Sequence, residues 1–229
     1  MIYIILMYLR DGGKMHIPDG FISLPVNIGT YIVSGGTFVY SMYSANKKLQ
    51  LQQIPLLAVS AAFIFAAQML NFPIAIGTSG HFLGAVLAMV LLGPLFAFIA
   101  MSLVLIMQTL LFADGGLLAM GSNIFNMGFI GTIAGFFIFM LIIKVLPKTK
   151  PMFLVGTFVV SWLSIVLASA SCSVMLGISG TYDLVPALVS MVSVHALIGI
   201  GEAIITTAVV SLVLTLRPDL VALWKGEKA

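Results

Sequence analysis

A short polar run, Met15-His16-Ile17-Pro18-Asp19-Gly20, interrupts the front of a very apolar chain and carries one of its three histidines. Pro18 fixes its own φ and pushes Ile17 toward extended geometry, so the Met-His pair is held as a stiff arm; Pro-Asp-Gly signals a turn behind it. With Met15 as the true first residue, the arm offers three nitrogens to one metal ion: the α-amine, the His16 backbone nitrogen and the His16 imidazole. Amine and amide close one chelate ring, and amide and imidazole Nδ1 close a second. Three nitrogens in a plane leave one corner open, a geometry that suits Ni(II) or Cu(II).

The remaining polar residues are candidates to complete or orient such a site. His81 follows Thr78-Ser79-Gly80, and Ser79 is a candidate hydrogen-bond partner that would orient it. His195 and Glu202 lie seven apart, on one face of a helix two turns apart. A carboxylate inside a membrane span costs at least about 2.5–3.5 kcal/mol unless it is neutral, paired or solvated. Glu202 and His195 are therefore candidates to support a metal site or relay a proton; the plainer reading is an interhelical hydrogen bond that fixes packing. Asp114-Gly115-Gly116 makes a turn and Ser122 suits a helix cap. Asn123 and Asn126 face the same way, and Asn126, inside the helix, is the stronger candidate to hydrogen-bond a metal ligand. Cys172, the single cysteine, stands between Ser171 and Ser173 and reads as a small apolar residue, with no disulfide framework and no cysteine metal site. The chain has no phosphate-binding Gly-x4-Gly-Lys-Ser/Thr loop, no His-Glu-x2-His and no nucleophile elbow. It does not read as an enzyme.

The elements that position these residues follow from composition. Of 229 residues, 61% are hydrophobic and 7% charged, against about 25% charged in a soluble domain. This is the composition of an integral membrane protein. The net charge of +3 bears on membrane orientation, not on nucleic acid. Hydropathy and Gly/Pro punctuation predict an all-α, polytopic bundle of about seven helices: 24–44, 54–71, 81–92, 95–112, 122–145, 152–178 and 187–216. The third starts at His81 and is short for a span; Gly93-Pro94 separates it from the fourth. Seven crossings put the termini on opposite sides. Eight of the ten Lys and Arg then fall on the C-terminal side, and the positive-inside rule predicts a cytoplasmic C-terminus, with Met15, His16 and His81 outside. Two stripes of small residues allow close helix approach: Ala58-x3-Ala62-x3-Ala66 and Gly131-x3-Gly135. Either one packs within the bundle or docks another membrane subunit.

Residues 1–14 stand apart. Their apolar run, Ile2 to Leu9, is too short to span and lacks the order of a secretory signal. Codons for Gly12-Gly13-Lys14 can spell a purine-rich ribosome-binding site just upstream of an ATG. The expectation is that translation starts at Met15 and that 15–229 is a single transmembrane domain, with 1–14 a start-site artefact or a processed extension.

The segments Met-His-Ile-Pro-Asp-Gly-Phe at 15–21, Gly-Thr-Ser-Gly-His-Phe-Leu-Gly at 77–84, Asp-Gly-Gly at 114–116, Gly-Ser-Asn-Ile-Phe-Asn-Met-Gly at 121–128 and His-Ala-Leu-Ile-Gly-Ile-Gly-Glu-Ala at 195–203 resemble the CbiM/NikM family. These are the substrate-binding membrane subunits of energy-coupling factor importers for cobalt and nickel. The resemblance covers essentially all of 15–229. It implies Ni2+ or Co2+ as the transported substrate, no organic cofactor, and a metal site of Met15, His16 and His81 at the outer face of the cell membrane. It also implies partners: a coupling transmembrane subunit, two cytoplasmic ATPase subunits that hydrolyse ATP, and often a small accessory membrane subunit. Ala58, Ala62 and Ala66 then become candidates for docking the coupling subunit. The rival reading is a self-sufficient proton-coupled divalent-cation transporter. Nickel and cobalt are not separated by these residues; neighbouring cobalamin-synthesis or urease and hydrogenase genes would separate them. The intact mass of the protein purified from its own host should match a chain that begins at Met15, and a mass that includes residues 1–14 would remove the free amine from the site.

Overall fold

The computed structural model describes residues 16–48, 53–69, 71–74 and 78–226. Seven helices account for most of them, in agreement with the predicted all-α polytopic bundle. They are α1 (Leu24–Lys48), α2 (Ile54–Gln68), α3 (Ala85–Leu92), α4 (Pro94–Phe112), α5 (Met120–Val145), α6 (Lys150–Ile178) and α7 (Leu184–Leu216). The last four are long and apolar enough to cross a membrane, and α2 is a shorter apolar helix. Between α2 and α3 runs a small antiparallel hairpin, β1 (Asn71–Ile74) and β2 (Thr78–His81), in which Asn71 pairs with His81.

The outer surface is apolar, with Leu24, Ile32, Val39, Leu141, Leu197 and Leu212 among many exposed large side chains. A water-soluble protein does not show so much contiguous apolar surface; lipid tails accept it. Polar contacts are turned inward instead. On the inner face of α1, Thr30 Oγ1 lies 2.9 Å from Ser122 Oγ, the Ser122 hydroxyl donates to Asn27 Oδ1 at 2.9 Å, and the Ser34 hydroxyl donates to the Gly121 carbonyl at 3.0 Å. Buried inside the bundle, such groups must find their partners there.

Helix α3 is the centre of the packing. All eight of its residues are buried, as expected of a helix that is hydrophobic all round. Eight residues rise only about 12 Å, so α3 does not span by itself. The third helix was expected from His81, but it begins at Ala85. Gly84, at φ +75°, breaks the run, because an added Cβ there would meet Ile64 and the Phe82 ring at 2.9 Å. His81 therefore ends a strand and does not open a helix. At the other end of α3, Ala222 and Leu223 of the C-terminal tail donate their N–H groups to the carbonyls of Leu91 and Val90, both at 3.2 Å. These are two of the carbonyls a helix end leaves without intrahelical partners.

Helix α5 widens into π-helical geometry over Ile124–Ala134, a form concentrated at functional sites. The two small-residue stripes have separate fates. An added Cβ on Gly131 would come within 2.5 Å of the Ala85 Cβ, so this glycine serves contact between α5 and α3. Ala58, Ala62 and Ala66 are all exposed, while Ser60, Ile64 and Gln68 face inward. Gly131→Ala should lower stability by about 1–3 kcal/mol through overpacking. The same change at Gly36, which has open space around it, should leave stability unchanged or raise it by up to about 1 kcal/mol through helix propensity. Thermal unfolding of the two variants in detergent checks the opposite signs.

Candidate metal site

The arm that begins at His16 is fastened by its backbone. The Ile17 N–H donates to Asn123 Oδ1 at 3.0 Å, and Asn123 Nδ2 donates back to the Ile17 carbonyl at 3.1 Å. The Gly116 N–H donates to the same carbonyl at 2.9 Å. Two residues on, the Asp19 carboxylate accepts the N–H groups of Leu117, Leu118 and Ala119 at 3.1, 2.7 and 3.2 Å. It thereby caps the start of α5 from a segment about a hundred residues away, where negative charge is favoured. Gly116 has no room for a side chain: an added Cβ would lie 2.1 Å from Asp19 Oδ1. Farther along, the Ser23 N–H donates to Ser179 Oγ at 3.0 Å and the Thr181 hydroxyl donates to the Phe21 carbonyl.

This fastening buries His16 to 5% exposure. Its Nδ1 lies 3.3 Å from Asp114 Oδ2, but neither ring nitrogen makes a hydrogen bond. A buried polar atom without a hydrogen bond is costly and calls for an occupant; a carboxylate close by favours a cation. His81, 9% exposed, faces it with ring centroids 5.1 Å apart and planes at 65°.

His81 is fixed through the loop that follows it. Its Nδ1 lies 2.9 Å from the Phe82 carbonyl, so Nδ1 carries the proton and Nε2 keeps its lone pair. Burial, with His16 alongside, lowers the His81 pKa to about 3; the ring is neutral, as a metal ligand must be. The Leu83 and Gly84 N–H groups donate to the two oxygens of Glu202 at 2.7 and 3.0 Å. The Leu83 carbonyl accepts from Gln68 Nε2 at 2.9 Å, and Gln68 Oε1 accepts from Gln108 Nε2 at 3.0 Å. Helices α2, α4 and α7 thus all hold the His81 loop.

All three histidines line one small cavity of about 80 Å3, with Asn123, Asn126, Cys172 and Met191. His195 Nδ1 lies 2.7 Å from the Met191 carbonyl on its own helix, which again leaves Nε2 for the cavity. Asn126 donates from Nδ2 to Met175 Sδ at 3.5 Å, and its buried Oδ1 has no hydrogen bond. Among the described residues, no three His, Cys, Asp or Glu side chains come together tightly enough to hold a metal ion.

His16, His81, His195 and Asn126 from the sequence analysis are thus brought to one cavity. Glu202, 2% exposed, sits behind it and reaches the cavity only through the His81 loop. Met15 and the side chain of Ser79 lie outside the described residues, as do residues 1–14. Ala58, Ala62 and Ala66 have no part in the cavity. Asn123, the weaker of the two asparagine candidates in the sequence, grips the arm; two residues read from sequence only as turn formers also belong to the site, Asp19, which latches the arm, and Asp114, which flanks His16. The signal available was the polar Asp-Gly-Gly and Ser-Asn pairs at the ends of apolar spans.

Fold and site together define a multi-pass membrane protein with a histidine-lined cavity closed by an N-terminal arm. Residues 16–220 match the family model for the cobalt uptake substrate-specific transmembrane region, CbiM, and the chain belongs to that family. It is a membrane component for metal transport and not an enzyme. Over 210 residues it is 40% identical to NikMN of Archaeoglobus fulgidus, provisionally named a fused nickel transport protein, covering 90% of this chain and 68% of that one. It is 30% identical over 209 residues to CbiM 1 of Methanosarcina barkeri, provisionally named a cobalt transport protein, covering 86% of each. A crystal structure of a truncated transition metal transporter superposes with a TM-score of 0.81 at 31% identity, covering 88% of this chain and 99% of the other.

Asn123→Ala removes both side-chain bonds to Ile17 and leaves its N–H unsatisfied, a loss of about 1–3 kcal/mol. Amide exchange at Ile17 should quicken roughly tenfold to a hundredfold, while Asn126→Ala leaves it unchanged. Equal exchange in the two variants would show that Asn123 does not hold the arm.

Proposed function

We propose that this chain is the metal-capture subunit of an energy-coupling factor importer for Ni2+ or Co2+. The ion is held by the Met15 amine, the His16 backbone nitrogen, the His16 imidazole and His81. The observation that carries the reading is the buried His16 ring, with no hydrogen bond to either nitrogen, facing a neutral His81 at 5.1 Å between centroids. Two imidazoles at that separation can share one ion at metal–nitrogen distances of about 2 Å. The lack of a cluster of three side-chain ligands among the described residues suits a site that draws half of its nitrogens from the main chain. Names carried by relatives for nickel and for cobalt support the two ions alike.

In this reading Asn123 and Asp19 position the arm, Glu202 positions His81, and His195 and Asn126 face the ion from the cavity wall. The site opens outward, since the basic loops 46–53 and 144–150 and the tail take the cytoplasmic side. The exposed face of Ala58, Ala62 and Ala66 receives the coupling subunit, and two cytoplasmic ATPases supply the energy. The self-sufficient transporter has less in its favour: both Glu202 oxygens are taken by the His81 loop, which leaves a relay without its carboxylate. Uptake should stop when the ATPase genes are deleted; uptake that persists would restore that rival.

Metal binding to the purified chain is the direct test. His16→Ala and His81→Ala should each weaken Ni2+ binding by roughly a hundredfold or more, the upper end of what losing even a residue that only supports a ligand costs. The His16 amide must give up its proton to bind, so affinity should rise with pH, about tenfold per unit for one proton released. A pH-independent affinity, or one unchanged in both variants, would overturn the planar site.

A further inference from the structure

A second cavity, of about 620 Å3, lies at the opposite end of α5, among the end of that helix, the 146–149 loop, the start of α6 and the C-terminal tail. Its wall is apolar and aromatic: Phe136, Phe137, Met140, Leu141, Phe153 and Trp224 contribute to it. Phe137, Met140 and Leu141 are also exposed on the apolar outer surface, so the cavity opens sideways toward lipid. Its rim is basic. Lys144 comes from α5, Lys148 from the loop and Lys225 from the tail; no carboxylate lines the cavity among the described residues. None of the three lysines has an ion pair or hydrogen bond among the described residues, whereas nearby Arg217 is paired with Asp219 at 2.7 Å and Lys150 donates to Thr215 at 2.7 Å.

The tail wall is built in. The Ala222 and Leu223 N–H groups are fastened to the end of α3, and the Trp224 ring packs edge-on against Phe153 with centroids 4.9 Å apart. The groove is thus a fixed amphipathic shape: an apolar trough open to lipid, lined by three lysines from three separate elements that are unpaired among the described residues.

We propose that this groove binds an anionic phospholipid of the surrounding bilayer, with an acyl chain along the Phe137–Leu141 wall and the phosphate among Lys144, Lys148 and Lys225. The volume falls within the range of about 300–1,000 Å3 usual for ligand sites. A basic pocket between transmembrane helices is the chemistry that selects anionic headgroups. The lysines retain long apolar stems that reach along the trough while their ammonium groups stay at the interface. The bound lipid bridges α5, α6 and the tail, so it clamps the tail that closes α3. The proposal is independent of the metal reading.

Trp224 supplies the readout, since the chain has one other tryptophan, Trp162, whose emission is obtained from Trp224→Phe and subtracted. The full chain is placed in lipid nanodiscs that carry acyl-brominated phosphatidylglycerol or acyl-brominated phosphatidylcholine at equal, minor mole fraction. Brominated phosphatidylglycerol should quench Trp224 several-fold more. A triple variant, Lys144→Gln with Lys148→Gln and Lys225→Gln, should lose the preference, and the corresponding triple Arg variant should keep it. Equal quenching by the two lipids overturns the proposal, as does a preference that survives in the Gln variant. A preference that vanishes when the chain is purified with its membrane partners means that a protein fills the groove, and overturns it as well.

Discussion

The structure depends on a docking contact between two segments far apart in sequence: the backbone of the arm at 16–19 and the turn at 114–123. In an apolar medium, backbone groups without partners are costly enough to decide the fold locally. The arm has no regular secondary structure of its own to satisfy them. It borrows partners from Asn123 and Gly116, and returns the favour by capping the start of α5 with Asp19. Arm and helix start are therefore each incomplete without the other. The glycines at 115 and 116 let the approach happen: at Gly115 an added Cβ would stand 3.0 Å from the His16 Cβ.

The second histidine is held by a different device. Helix α3 is too short to fix its own position across a membrane, and every face of it is buried. Its two ends are satisfied by distant parts of the chain: Glu202 with the N–H groups before it, and the tail with the carbonyls that end it. A carboxylate at a helix N-terminus is favoured by the dipole as well as by the hydrogen bonds. The cost of burying Glu202 is thereby offset by two donors that would otherwise be buried and unmet. His81 follows from this, because the clamped residues are the second and third after it.

Hydropathy made most of the fold legible. Lipid imposes long apolar runs, and Gly93-Pro94, Pro147 and Pro218 mark their ends, so all seven helices end within about four residues of expectation. The start of α3 shows the limit. The apolar stretch from His81 to Phe112 has no change of composition at Ala85; what sets the start of the helix there is the left-handed backbone of Gly84, at a position where a Cβ would strike Ile64. The hairpin at 71–81 was hidden for a similar reason: Pro73, Gly77 and Gly80 read as loop, and the pairing of Asn71 with His81 is set by where the flanking helices bring the chain. In the site, the histidines were legible because imidazole is rare in an apolar chain. Asp19 and Asp114 were not, since each is locally explained as a turn former, and its actual partner is 98 residues away; Asn123 stood out as a polar residue near a helix start, but its grip on the arm, 106 residues away, did not.

This arrangement sets a heavily hydrogen-bonded cavity apart from a face that carries no such bonds. Around the histidine cavity, hydrogen bonds converge from the arm, α2, α4, α5 and α7, so small displacements there break several at once. The alanine face of α2 has no such ties: Ala58, Ala62 and Ala66 are exposed, while Gln68 at the same helix's end is locked to the His81 loop. Gln68 thereby links the helix that carries the alanine face to the His81 loop through the Leu83 carbonyl, with Gln108 bonded to it from behind. The arm and the His81 loop are each held by hydrogen bonds from other elements, separate from the apolar packing around α3.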